Sequence, residues 1–183
     1  MKRLAKAAIL MKLGQTLKAC GSWCGHTHYQ KAVYFLQHAL GVGLDFSYIL
    51  YKYGPYSFDL REEMETLEAE GLLSSVSSPP YGPIIKPTEL GQQLMESFPK
   101  TLAKYDTAIL YAARTLGNRQ VTELEKLVTS LFIKRNHSEA VTTQDQAELL
   151  NQIKPHIPLA EAVQAVQECD RILEDIALTC CER

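Results

Sequence analysis

The chain has 183 residues, of which 22% are charged and 46% hydrophobic, an ordinary composition for a globular protein of one sizeable domain or a small domain with a helical extension. Its 19 basic and 21 acidic residues nearly cancel, so net charge says nothing about partners. No uninterrupted apolar run approaches the ~20 residues of a membrane span.

The charge is unevenly spread. Residues 1–44 hold Lys2, Arg3, Lys6, Lys12, Lys18 and Lys31 and no acid, whereas residues 45–70 hold seven acids against Lys52 and Arg61. Such asymmetry orients a partner or a second copy.

Residues 3–18 read as a first helix, with apolar positions from Leu4 through Ala7, Ala8 and Met11. Its lysines interrupt the apolar stretch, which suits an amphipathic helix better than a secretory leader. A glycine-punctuated loop, Cys20 to Gly25, follows. Thr27-His28-Tyr29-Gln30 has capping-box spacing, and Tyr29, Ala32, Val33, Leu36 and Leu40 then repeat with helical period up to Gly41. Leu44 to Tyr53 reads as extended, and Gly54-Pro55 as a turn. Ser57 caps a helix carrying Leu60, Met64 and Leu67 inward, which Gly71 closes. Residues 72–85 fit a hairpin looped at Ser77–Pro83, and Thr88 caps a helix that Pro99 breaks. Segments 102–116, 120–135, 143–153 and 158–180 carry helical stripes, with Thr143-x-x-Gln146 as a second capping box.

The expected fold is therefore mainly α with minor β. A winged helix-turn-helix domain over residues 1–99, with a short β-hairpin wing, precedes a helical extension over 100–183. The extension either packs on that domain or forms a dimer through 158–180, whose stripe must be buried.

Tyr29-Gln30-Lys31-Ala32-Val33-Tyr34-Phe35-Leu36-Gln37 resembles the second helix of the YwgA-like winged-helix proteins. Tyr51-x-Tyr53-Gly54-Pro55-Tyr56-Ser57-x-x-Leu60, with Leu67-x-x-x-Gly71-Leu72, is similar to their next block, and a weaker match lies at Val121–Thr129 and Ile153-Lys154-Pro155-His156. Residues 26–73 also resemble the Panacea group of phage-associated, antitoxin-like proteins. The resemblance implies a fold and a setting among regulators, antitoxins and adaptors, with no shared activity. His26 and His28 stand where the family pattern has basic residues.

In a winged helix the segment 57–70 would enter the major groove. Its outward positions, Asp59, Glu62, Glu63, Glu65, Glu68 and Glu70 against Arg61, would repel phosphate. This favours a protein partner meeting Tyr53, Tyr56, Asp59, Glu62 and Glu63, a basic toxin or nuclease being one such partner. The alternative is duplex DNA docked on the basic N-terminal residues Lys2, Arg3, Lys6, His26, His28 and Lys31. A third arrangement pairs the basic first helix with the acidic helix of a second copy.

Cys20, Cys24, His26 and His28 form the one metal-like cluster, with donors suited to zinc. Their spacing, C-x3-C-x-H-x-H, lacks the separated pairs of common fingers, so loop cysteines and surface histidines are the simpler expectation and no cofactor is expected. Cys169 and Cys180 fall on the last apolar stripe and Cys181 off it, which suits packing better than redox chemistry. Five cysteines suit a reducing cytoplasm. No nucleophile elbow, Walker loop or H-E-x-x-H occurs.

Overall fold

Helix α1 (Arg3–Ala19) buries Ala5, Ala7, Ala8, Ile9, Leu10, Met11, Leu13, Gly14 and Leu17. A helix apolar on nearly all sides must sit inside a core, and α1 packs against three other elements of its unit. The stripe begins one residue later than expected, because Leu4 is exposed. In this computed structural model, which describes residues 1–78 and 81–181, α2 (His26–His38) and α3 (Phe58–Ala69) follow. An antiparallel hairpin, β3 (Leu73–Ser78) with β4 (Tyr81–Pro87), leads to α4 (Glu89–Glu96) and α5 (Pro99–Leu116). Between α2 and α3 stands a second hairpin, β1 (Ile49–Tyr51) with β2 (Gly54–Tyr56). The chain ends in α6 (Val121–Asn136), α7 (Thr143–Ile153) and α8 (Leu159–Cys181). The protein is thus mainly helical with two small hairpins that do not join into one sheet. Among the described residues no helix is long and apolar enough to cross a membrane.

The described chain divides into two compact units, Met1–Tyr48 with Ser57–Arg119, and Ile49–Tyr56 with Gln120–Arg183. This differs from a boundary at 99/100. Helix α5 buries Ile109, Ala112, Ala113 and Leu116 and packs against α1, so it belongs to the first unit. Helix α4 ends at Glu96, before Pro99 as expected, and Pro99 also occupies the first turn of α5, where its missing N–H costs nothing.

In the first unit the elements approach to backbone distance. A Cβ at Gly14 would lie 1.6 Å from the hydroxyl of Tyr29, and one at Gly91 would lie 2.3 Å from the Leu72 carbonyl oxygen. Helix α3 contributes Leu60, Met64 and Leu67 to this core. Thr88 caps α4 by accepting from the Gly91 N–H at 3.1 Å.

Two expected capping boxes are placed differently. Gly25, without a side-chain cap, precedes α2, and Gln30 is drawn away to pair with Ser57. At α7 the box is Thr142 with Asp145, one residue before Thr143 and Gln146. Gln146 instead donates to the Ala140 carbonyl at 3.0 Å and accepts from Lys134.

In the second unit the stripe of α8 is covered within the chain. Ala162, Ala165 and Val166 join Ile133, Ala147, Leu150 and Ile157 in one cluster, and α8 packs on both α6 and α7. Along this stripe Ile176 is 8% exposed, whereas Leu159 at its start is 40% exposed. The side chains of Cys180 and Cys181 lie outside the described residues.

Gly14→Ala should cost about 1–3 kcal/mol, because overpacking against the buried Tyr29 ring outweighs the gain in helix propensity. The melting temperature should fall by about 2–4 °C per kcal/mol. Gly43→Ala, whose new methyl meets nothing nearer than 3.9 Å, should leave it nearly unchanged in the same calorimetric comparison.

Candidate interaction site

The start of α3 is set by a reciprocal amide pair. The Ser57 N–H donates to Gln30 Oε1 at 2.9 Å, and Gln30 Nε2 donates to the Ser57 carbonyl at 2.9 Å. Both residues are buried. The Ser57 hydroxyl then accepts from the Leu60 N–H at 3.1 Å, so the N-cap is fixed from inside and outside the helix.

The acids of α3 are largely engaged within the first unit. Arg3 Nε lies 3.0 Å from Glu63 Oε1, and its two terminal nitrogens donate to both oxygens of Glu70 at 2.8 and 2.9 Å. This fork-to-carboxylate geometry is the strong form of the ion pair. The hydrogen bonds from Arg3, with its charge, hold the Glu70 carboxyl below its ordinary range. Arg61 pairs with Glu65 at 2.7 Å, and Asp59 accepts from the Ser47 N–H at 3.2 Å. Glu62 is exposed. The basic first helix thus meets the acidic helix of its own chain.

The same contacts occupy the basic residues expected to face DNA. Lys6 sits 3.4 Å from Asp45 and over the ring of Phe46, and Lys31 is 2% exposed. His28 is buried, with its Nε2–H donating to the Leu116 carbonyl at 3.0 Å. Burial holds His28 below the ordinary histidine pKa, with the Leu116 bond acting in the opposite direction. Of the expected set only Lys2 and His26 are exposed without a contact of this kind.

Nor do the four zinc-type donors converge. The buried Cys24 thiol donates to the Gly14 carbonyl at 3.3 Å, and burial pushes it above its ordinary pKa. Cys20 is half-buried, and His26 is exposed while His28 points to α5. Among the described residues no three Cys, His, Asp or Glu side chains are grouped to hold a metal ion.

Tyr53 and Tyr56 belong to the second unit, on the β1–β2 hairpin. Leu50 pairs with Pro55 and Tyr51 with Gly54, leaving Lys52 and Tyr53 as a two-residue turn. Gly54 follows at φ +86°, a conformation an L side chain resists. Period-2 alternation puts Ile49, Tyr51 and Tyr56 on one face and Leu50 with Pro55 on the other. Strand β2 packs on α6. Ile49, Tyr51 and Tyr53 are each about half exposed, at 50, 54 and 51%. The Tyr51 and Tyr56 rings lie 5.6 Å apart, and Lys52 sits over the Tyr53 ring.

The turn is held by Lys154, at the C-cap of α7. Its ammonium donates to the Tyr51 carbonyl at 2.7 Å and the Lys52 carbonyl at 2.5 Å. Glu125 Oε1 lies 3.4 Å from the same nitrogen, an ion-pair contact without hydrogen-bond geometry, and Glu125 Oε2 lies 3.4 Å from His156 Nε2. Lys154 and Glu125 are 6% and 4% exposed. Sequence reasoning did not assign this pair, nor Ile49 to the exposed surface. The one available signal was the motif Ile153-Lys154-Pro155-His156.

Compared with protein-family models and with curated protein sequences, the chain finds no match.

Arg3→Ala should return the Glu70 carboxyl to the ordinary range in an NMR titration. A depressed carboxylate stabilises the fold above its ordinary pKa and loses that contribution as pH falls through its folded value. The variant should therefore show a flatter acid limb in thermal melts. His28, held below its ordinary pKa by burial, gives the same sign at a higher pH, because its neutral form is the one the fold favours. Below about pH 6.5 the unfolded histidine binds a proton that the folded one resists, so stability falls with acid by up to about 1.4 kcal/mol per pH unit. His28→Gln, which keeps an N–H for Leu116, should remove that slope from melts taken at about pH 7.5 to 5.5.

Proposed function

We propose that this chain is a non-enzymatic winged-helix regulator of the antitoxin-like kind, acting in the cytoplasm as a protein-interaction module. The first unit supports it by element order, with α1, α2 and α3 followed by the β3–β4 hairpin in the place of a wing. Helix α3, in the place of a DNA-reading helix, carries five acids and one arginine, with a sixth acid at its C-cap, Glu70, a face suited to a basic protein partner and unsuited to phosphate.

The observation that carries the proposal is the half-exposed trio Ile49, Tyr51 and Tyr53 on a hairpin pinned by a buried charge. Tyrosine presents a large amphipathic area with few rotatable bonds, and a fixed mount lowers the ordering cost of binding. The hairpin and α3 are separate contact elements, since they belong to different units. The alternative, DNA docking on residues 2–31, has less support: Arg3 and Lys6 are ion-paired within the chain, and His28 and Lys31 are buried.

Co-purification from the native host should recover a stoichiometric protein partner. The double variant Tyr51→Ala with Tyr53→Ala should weaken its retention by about tenfold or more, as two interface tyrosines worth ~1 kcal/mol each require. Random duplex DNA should not bind at ~50 mM salt, where phosphate-driven affinity is high. Salt-sensitive duplex binding, or no partner, would sink the proposal.

A further inference from the structure

We infer that Lys154 is a positioning residue for the contact hairpin, a tethered cation around which the turn Tyr51–Gly54 is built. Its importance for recognition rests on the reading of the hairpin as a contact surface, whereas its effect on the hairpin does not.

Two consecutive carbonyls, of Tyr51 and Lys52, converge on one point with the ammonium 2.7 and 2.5 Å away. Carbonyl dipoles aimed at one another repel, and such a convergence forms around a positive charge. An ammonium has three donors and no acceptor; two of them go to the carbonyls, and its charge calls for a nearby carboxylate. Glu125 supplies that carboxylate from α6 at 3.4 Å and balances the charge in a site that water barely reaches. His156, on the other oxygen of Glu125, is the remaining titratable group described there.

The lysine backbone is held on both sides. The Lys154 N–H donates to the Leu150 carbonyl at 2.8 Å, and its own carbonyl accepts from the Ile157 N–H at 2.9 Å. The ammonium is therefore a fixed point on the helical part of the unit, reaching 103 residues back along the chain. The residues whose carbonyls it holds are also those that set the exposed tyrosines. Tyr51 projects its ring from the clamped residue itself, and Tyr53 sits at the other corner of the turn. A three-residue strand pair is too short to hold this shape by its own ladder. The hairpin's presentation thus depends on the charge of Lys154, while the α6–α8 core has its own apolar cluster.

Hydrogen–deuterium exchange of the free full-length chain tests this without any partner. In Lys154→Met, which keeps the stem and removes the charge, residues 49–56 should exchange at least ~10-fold faster, while α6–α8 should stay within about threefold of wild type. Unchanged exchange in 49–56, or parallel loss of protection across α6–α8, overturns the inference. Lys154→Ala leaves room for the missing three carbons and nitrogen. Added n-propylammonium should restore slow exchange in 49–56, and n-propanol at the same concentration should not. Equal rescue by both, or rescue by neither, overturns the role of the charge. Failure of the partner proposal would appear separately, as partner retention indifferent to Tyr51 and Tyr53.

Discussion

Lys154 carries a positive charge into a site where the residue is only 6% exposed, and the fold answers it with two backbone carbonyls and a buried carboxylate. A buried ion is tolerated only when its partners are already in place. That requirement links three distant stretches of chain: the turn at 51–52, Glu125 on α6 and the end of α7. It also explains why the short hairpin 49–56, lying in sequence between two helices of the first unit, is part of the second. The turn's carbonyls are satisfied there.

The other foot of the same segment is fixed by a neutral device. Gln30 exchanges two hydrogen bonds with the backbone of Ser57, imitating one rung of a strand ladder inside a helical core. Ser57 in turn caps α3. The hairpin and the helix that follows it each therefore have a buried polar anchor, and the exposed side chains they carry, Tyr51, Tyr53 and Glu62 among them, are presented from backbone that is hydrogen-bonded from within.

Charge tells a similar story. The +6 imbalance of residues 1–44 and the acidic excess of 45–70 look like two surfaces awaiting partners. Folding brings them together instead. Arg3 takes Glu63 and Glu70, and Lys6 takes Asp45. What remains outward on α3 is a smaller acidic face around Glu62, so less electrostatic attraction is left over for any partner than the linear pattern suggests.

Much of the fold was legible by itself: the helix of 29–36 from its 3.6-residue period, the Ser57 and Thr88 caps, the hairpin before Thr88, and the last three helices to within a residue, α5 starting three residues before its expected place. These are local signals, carried by neighbours within one or two turns. The sequence also determined that α3 would be acidic, but it pointed to a turn at Gly54-Pro55, whereas these residues pair as a strand and the turn falls on Lys52 and Tyr53. Tertiary structure alone decided the rest. Gln30 reads as a capping residue because the competing backbone at Ser57 is 27 positions away, and His28 and Lys31 read as surface groups until α5 and the core cover them. Lys154 is silent for the same reason. Its charge acquires meaning only when folding brings it to two carbonyls more than a hundred residues upstream, and no periodicity records a contact of that range.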